Sequence, residues 1–219
     1  MGYKKSIETK NNIIEACKKL ILTKAWDDIT VRDIAKEANI KNPLIYYYYD
    51  NKQEIAETTY AMMVLKIIDF SMELVPFEED MLLNHFIHVI LTYKCVVNNP
   101  IYNKFFMEAI NPKFDTPPIM EFQEISTIIE DQLLSIFHEN DIQLEKKYAT
   151  AYVVTTYAVS NSMFKSIISH KLDFSFDEAI IFVTKFWVSS IGIPDVVYQS
   201  KISKAISLCN TVDMNQLEL

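Results

Sequence analysis

The chain is poor in glycine. Only Gly2 and Gly192 occur among 219 residues, and neither sits inside a motif. That excludes the glycine-rich phosphate loops of dinucleotide-binding and P-loop proteins, which need glycine where the backbone approaches phosphate. It also disfavours an all-β fold, whose tight turns draw on glycine. Arginine is scarcer still, with Arg32 the sole example. The three cysteines, Cys17, Cys95 and Cys209, are far apart and odd in number. They read as small buried thiols in a reducing cytoplasm, not as a disulfide framework. No apolar run reaches the ~18 residues a membrane span needs. The longest, around Tyr152–Phe164, is interrupted by Thr155, Thr156, Ser160, Asn161 and Ser162. The N-terminus has lysines but no apolar segment of a secretion signal. A cytoplasmic protein that does not enter the membrane is the expectation.

What the chain has is hydrophobic and helical. Half of its residues are hydrophobic and 23% are charged, ample for a packed core. The net charge of −8 argues alone against nucleic acid, but its distribution reverses that. Residues 1–55 hold 10 Lys+Arg against 8 Asp+Glu, and the remaining 164 residues hold 11 against 21. A mildly basic head on an acidic body suits a protein that meets phosphate at one end only.

The chain is organised around residues 29–55. Thr30 is a candidate N-cap for a short helix over 31–38, where Val31, Ile34, Ala35 and Ala38 share one face. Asn39 takes the place of the glycine that ends many helices, because asparagine tolerates a left-handed backbone. Asn42 is the candidate cap of a second short helix over 42–49, with Pro43 at its start. Two short helices joined by a tight turn make a helix-turn-helix. Spacing turns Ile45 and Tyr49 toward the core. It leaves Asn42, Leu44, Tyr47 and Tyr48 outward, with Tyr46 at the margin.

Around this unit the periodicity predicts further helices. One spans 6–24, with Ile13, Ala16, Cys17, Leu20 and Ile21 as its apolar stripe. Trp26 follows as a lid on a three-helix core. Later helices are expected at about 52–75, 79–98, 101–110, 118–137, 142–170, 176–191 and 195–208, with Pro76, Asn99-Pro100 and Asn111-Pro112 as breaks. The fold class is all-α: an N-terminal three-helix DNA-binding domain over 1–55 and a C-terminal helical domain over 56–219.

The run T-V-R-D-I-A-K-E-A-x-I, followed by I-Y-Y-Y-Y-x-N-K-x-E-I and preceded by a helix of about 20 residues, resembles the tetracycline-repressor (TetR) family of bacterial transcriptional regulators. The match extends to about residue 66. The resemblance implies a homodimeric repressor, released by a small-molecule ligand, whose two heads bind the half-sites of a double-stranded operator. Asp50, Leu44, Asn39 and Ala25 depart from the family's usual residues.

The chemistry of the head gives each outward residue a role. Asn42 can bond an adenine edge and Leu44 can meet a thymine methyl. Tyr46, Tyr47 and Tyr48 offer hydroxyls to phosphates. Lys52 reads as a phosphate anchor at a helix N-terminus. Thr30, Arg32 and Lys41 complete the expected DNA-contacting set.

In the body, the aromatic and methionine residues Tyr93, Tyr102, Phe105, Phe106, Met107, Phe122 and Tyr152 are the candidate lining of a ligand pocket, suited to an apolar or flat, even cationic, effector. For any one of them plain core is the stronger reading. Ala151, Ala158 and Ser162 on one long helix, with Phe182, Phe186 and Trp187 on the next, are the candidate dimer surface, and Tyr157 and Phe164 are expected outward beside them. His85 and His88 are spaced three apart but lack the Glu-x-x-His context of a helical metal site. They read as core or pocket lining, with no cofactor and no metal expected. The alternatives are a helical metal-binding enzyme using those histidines and a helical interaction module without DNA binding. No nucleophile sits in a recognisable strained turn, so no enzyme activity is expected.

Overall fold

The structure is a computed structural model that describes residues 2–110 and 123–217, with the backbone alone at 2–5, 123–126, 128 and 215. Ten α-helices and no strand occur among the described residues. Helix α1 (Gly2–Thr23), α2 (Val31–Glu37) and α3 (Asn42–Tyr48) form the head, and α4 (Lys52–Leu74) runs from the head into the body. The body adds α5 (Met81–Asn98), α6 (Pro100–Lys104), α7 (Gln123–Glu139), α8 (Lys146–Ile168), α9 (Phe176–Ser190) and α10 (Asp195–Asn210). Helix α6 continues without a break into a π-helical segment, Phe105–Ile110. None of the described helices is long and apolar enough to cross a membrane.

With so few glycines, the chain ends helices by other means. Four residues take a left-handed backbone: Asn39 (φ 54°), Asp141 (φ 58°), His170 (φ 54°) and Gly192 (φ 81°). Each follows a helix and closes the same double hydrogen bond. At the end of α2, the Ile40 N–H donates to the Ala35 carbonyl (2.9 Å) and the Asn39 N–H to Lys36 (3.2 Å). This motif satisfies carbonyls that the helix leaves free, and Ile40 packs back on the core. Thr30 caps α2 through a full capping box. Its hydroxyl accepts from the Asp33 N–H, and the Asp33 carboxylate accepts from the Thr30 N–H. Helix α8 begins at Lys146, four residues later than expected, because Asp141 and Ile142 are spent closing α7.

The head's core is small and complete. Ile13, Cys17, Ile21, Trp26, Ile34, Ile45 and Tyr49 are all buried, so the inward assignment of Ile45 and Tyr49 holds. Burial pushes the thiols of Cys17, Cys95 and Cys209 up to about 12. All three are unpaired and buried, hence protonated and unreactive. In the body, α5 is central and packs against α4, α7, α9 and α10.

Candidate nucleic-acid interface and internal cavity

Helix α3 divides cleanly into two sides. Ile45 is fully buried, whereas Tyr47 is 78% exposed, Tyr46 53% and Leu44 38%. Tyr48 is half-buried and meets the Tyr47 ring edge-on at 5.0 Å. The exposed row is amphipathic, with hydroxyls at the tips of flat rings beside one apolar side chain. Lys41, just before α3, and Arg32, on the outer face of α2, are exposed, and neither forms an ion pair with a described residue. An α-helix presenting such a row fits a major groove, where the residues at its N-terminal end reach base edges.

Three of the expected DNA contacts are placed differently. Lys52 is turned inward. Its ammonium donates to the carbonyls of Trp26 and Ile29, both at 2.7 Å, and lies 4.5 Å from the Trp26 ring centre. It fastens the start of α4 to the α1–α2 connection instead of standing free for phosphate. Asn42 is not the cap of α3. Lys41 occupies that position and Asn42 is the first helical residue. Its Oδ1 is buried without a partner among the described residues, so in this conformation it is withheld from a base edge. The Thr30 hydroxyl is engaged with Asp33 at 2.7 Å. Hydrogen bonds from the Thr30 hydroxyl and backbone, with help from Lys24, hold the Asp33 carboxyl down at about 2. Asp50 keeps an exposed side chain, and nothing in the structure explains it.

Head and body meet at the π-helical segment. The Trp26 backbone N–H donates to Glu108 Oε2 at 2.9 Å. Gln53 Nε2 donates to the Ala109 carbonyl at 2.9 Å. The Trp26 and Phe105 rings lie 6.2 Å apart.

Within the body, α4, α5, α7, α8 and α9 line a cavity of about 140 Å³. Of the residues expected to line it, Tyr93 does so. Phe122 lies outside the described residues. The others sit elsewhere for simple packing reasons. Tyr102 is buried with its hydroxyl donating to Tyr60 at 3.2 Å. Phe105 and Phe106 are core, and Met107 packs beside them. Tyr152 donates to the Ser190 carbonyl and packs on Phe137.

The lining instead comes in helical stripes. Helix α5 contributes His85, His88, Val89, Thr92 and Tyr93, and α8 contributes Val153, Thr156, Tyr157, Ser160 and Asn161. Both follow the i, i+3, i+4, i+7, i+8 spacing of one helix face. Polar residues on an inward face of an otherwise apolar helix were the signal available in the sequence, and it marks a cavity better than aromatic content does. The His85 ring lies 4.4 Å from that of Trp187. Burial pushes His85 down to about 3 and His88 to about 4, so both are neutral near pH 7. No group of three potential metal ligands occurs among the described residues.

On the far side of the body, Ala151, Ala158 and Ser162 of α8 are exposed, as are Ile181, Phe182 and Phe186 of α9. Trp187 is not on that surface; it is buried and lines the cavity. Phe164 is also inside, stacked on Tyr93 at 3.8 Å, and Tyr157 faces the cavity.

Among the described residues the chain is all-helical, with a helix-turn-helix head and a cavity-bearing body, an arrangement that suits a DNA-binding regulator. Residues 13–59, the head and the first turns of α4, match the model of the bacterial regulatory proteins of the tetR family. It is 26% identical over 139 residues to the biofilm operon icaADBC negative transcriptional regulator IcaR of Staphylococcus epidermidis, covering 63% of this chain and 74% of the relative. It is 25% identical over 154 residues to the dhaKLM operon transcriptional activator DhaS of Lactococcus lactis, covering 69% and 76%. Among solved structures, the fold matches RolR in complex with resorcinol at a TM-score of 0.65 and 12% identity, over 96% of this chain and 97% of that one. A TetR transcriptional regulator from Rhodococcus matches at 0.57 and 11% identity, over 86% and 98%.

Proposed function

We propose that this protein is a homodimeric repressor that holds its operator through α3 and lets go when a small molecule fills the five-helix cavity. The observation that carries the reading is the outward row Leu44, Tyr46 and Tyr47 standing over a buried Ile45. Leu44 is the apolar base contact and Tyr46–Tyr48 grip phosphates. Arg32 and Lys41 supply the charge, and Asn42 joins them once its amide rotates outward. The head ends near residue 55, one turn into α4. Helix α4 links the two activities, since Lys52 at its start is tied to the head and Tyr60, eight residues on, lines the cavity. At 1.5 Å per residue that separation is roughly 12 Å along one rod.

The relatives act with both signs, one a negative regulator and one an activator. RolR, whose fold is shared, has been crystallised with resorcinol, which supports an effector role for the body. The exposed face of α8 and α9 supplies the dimer contact. Ala151, Ala158 and Ser162 let helices approach closely, and Phe182 and Phe186 give it apolar area. Three buried, unpaired thiols suit a reducing cytoplasm.

Genomic fragment selection with the purified protein tests the reading. The expected result is a pair of symmetric half-sites, with binding that weakens steeply as salt rises and promoter output that increases when the gene is deleted. No retention of any fragment at low salt would sink it. Light scattering should give twice the chain mass, and the double substitution F182E/F186E should give one.

A further inference from the structure

The cavity is lined without a single Lys, Arg, Asp or Glu among the described residues. Its walls are nevertheless not apolar throughout. Three buried polar atoms of its lining residues have no hydrogen-bond partner of normal geometry among the described residues: Thr92 Oγ1, Tyr157 Oη and Asn161 Nδ2. Asn161 is only 4% exposed, and its other amide atom, Oδ1, accepts from the Tyr93 hydroxyl at 3.0 Å. That bond fixes the side chain and leaves the NH2 group without an acceptor of normal geometry among the described residues. Tyr157 interacts with the Asn161 side chain beside it, which offsets part of the upward push of burial on its phenol. A buried polar group without a partner destabilises a fold by the full cost of its desolvation. Of the six such atoms among the described residues, three are gathered on this one cavity, on the facing helices α5 and α8.

Flat surfaces accompany these atoms. His85 and Trp187 lie with ring centres 4.4 Å apart and planes 31° apart. Tyr93 is held in place by stacking on Phe164. The volume, about 140 Å³, compares with the roughly 150 Å³ of an engineered cavity that accepts benzene. Burial keeps His85 and His88 neutral at physiological pH, so they give a ligand hydrogen-bonding nitrogens but no counter-ion.

We infer that the cavity takes an uncharged, single-ring-sized, flat ligand carrying oxygen on its rim, bound through Thr92, Tyr157 and Asn161. The inference rests on the effector reading of this cavity and narrows it. A carboxylate would meet no cation and an ammonium no anion, and an unpaired charge is the costliest group to bury. A bare hydrocarbon ring would fill the space but leave the three polar atoms without partners.

Four probes of similar size separate these cases: phenol, toluene, benzoate and benzylammonium. Binding is read from tryptophan emission, because Trp187 lines the cavity, and from thermal shift. Operator release is read in parallel from DNA anisotropy. Phenol is expected to bind most tightly, with toluene about tenfold weaker and the two ions weaker still. The isosteric substitutions T92V and Y157F remove an unpartnered atom and little else. Each should weaken phenol about threefold to tenfold, leave toluene unchanged and leave the ligand-free protein at least as stable as before.

Tighter binding of either ion would overturn the inference. So would phenol affinity untouched in both variants, or no binding of any probe. Phenol binding without operator release would overturn the effector reading and leave the ligand class standing. Release by an ion alone would do the reverse.

Discussion

The head and the body distribute their polar groups differently. Behind α3 the side chains that shape the backbone are matched: Thr30 to Asp33, Asn51 to Glu54 and Lys52 to two carbonyls. The buried atoms without a partner, Trp26 Nε1, Asn42 Oδ1 and Tyr49 Oη, are scattered over the α1–α2 connection and the two ends of α3. The chemistry is turned outward and rests on a closed core. In the body the atoms without a partner belong to Thr92, Tyr157 and Asn161, which all line one cavity. The head is therefore built to present a fixed surface to a large, rigid partner. The body is built to be completed by something small.

The largest effect should come from crossing the two sides of α3. Ile45 is fully buried and Leu44, next to it, is exposed. I45A should cost about 2–5 kcal/mol, the range for deleting buried aliphatic groups, and abolish DNA binding by undocking the helix. L44A should leave the melting temperature within about one degree, as exposed substitutions generally do, while relaxing sequence preference in a binding-site selection. Equal thermal shifts in the two variants would dissolve the distinction between the sides.

Next comes a contrast between two lysines. Lys52 is committed to carbonyls and Lys41 is exposed. K52M removes the ammonium from both carbonyls and should cost about 2 kcal/mol, in line with hydrogen bonds to charged groups. At this chain length that is roughly a 4–8 °C loss. It should not change the slope of log affinity against log salt. K41A should do the opposite, leaving stability alone and reducing the slope by about one. A reduced slope in K52M would return Lys52 to the phosphate-binding set.

These contrasts explain what could be read in advance. The helices, the Thr30 cap, the Asn39 turn and the inward Ile45 and Tyr49 all follow from neighbours within a few residues, and all were legible in the sequence. Asn42 was misplaced by one position, Lys41 taking the cap, and Lys52 was misplaced because its surroundings are not local. Lys52 meets Trp26 and Ile29, more than twenty residues earlier. The cavity was less legible still, since it joins five helices between Tyr60 and Trp187. Aromatic content drew attention to Phe105 and Phe106, which fill core. The polar spots on α5 and α8, among them His85, Thr92 and Asn161, were the informative residues.

Acid should separate the two regions as well. His85 and His88 have pKa values in the fold of about 3 and about 4, below the ordinary 6.5. Between those values the unfolded chain binds more protons than the native one, so stability rises with pH there. The contribution is complete above about pH 6.5 and is lost as pH falls toward 4. In the head, Asp33 is held at about 2 against an ordinary 3.8, so its contribution is present above 3.8 and is lost only as pH falls below that. The body carboxylates Glu130 and Glu178 are also lowered from an ordinary 4.5 and act below it. The melting temperature should therefore decline between pH 6.5 and 4.5, and H88Q should flatten the decline. A melting temperature constant across that range would contradict neutral, buried histidines.

The smallest effect tests whether the two regions are coupled at their joint. Glu108 Oε2 accepts the Trp26 N–H at 2.9 Å, and Lys104 lies 3.8 Å from the same carboxylate. E108Q keeps an acceptor oxygen but removes the charge that strengthens the bond. Charged and neutral acceptors differ by about 1 kcal/mol, which corresponds to roughly fivefold faster exchange of the Trp26 amide hydrogen if that amide opens locally. Exchange within α5 should not change, because the bond belongs to the joint and not to the cavity wall. Acceleration spread equally over Trp26 and α5 would mean that head and body open as one unit. An unchanged Trp26 amide would mean that Glu108 does not hold the head at all, leaving Gln53 on the Ala109 carbonyl, the Trp26–Phe105 contact and α4 itself to tie the two.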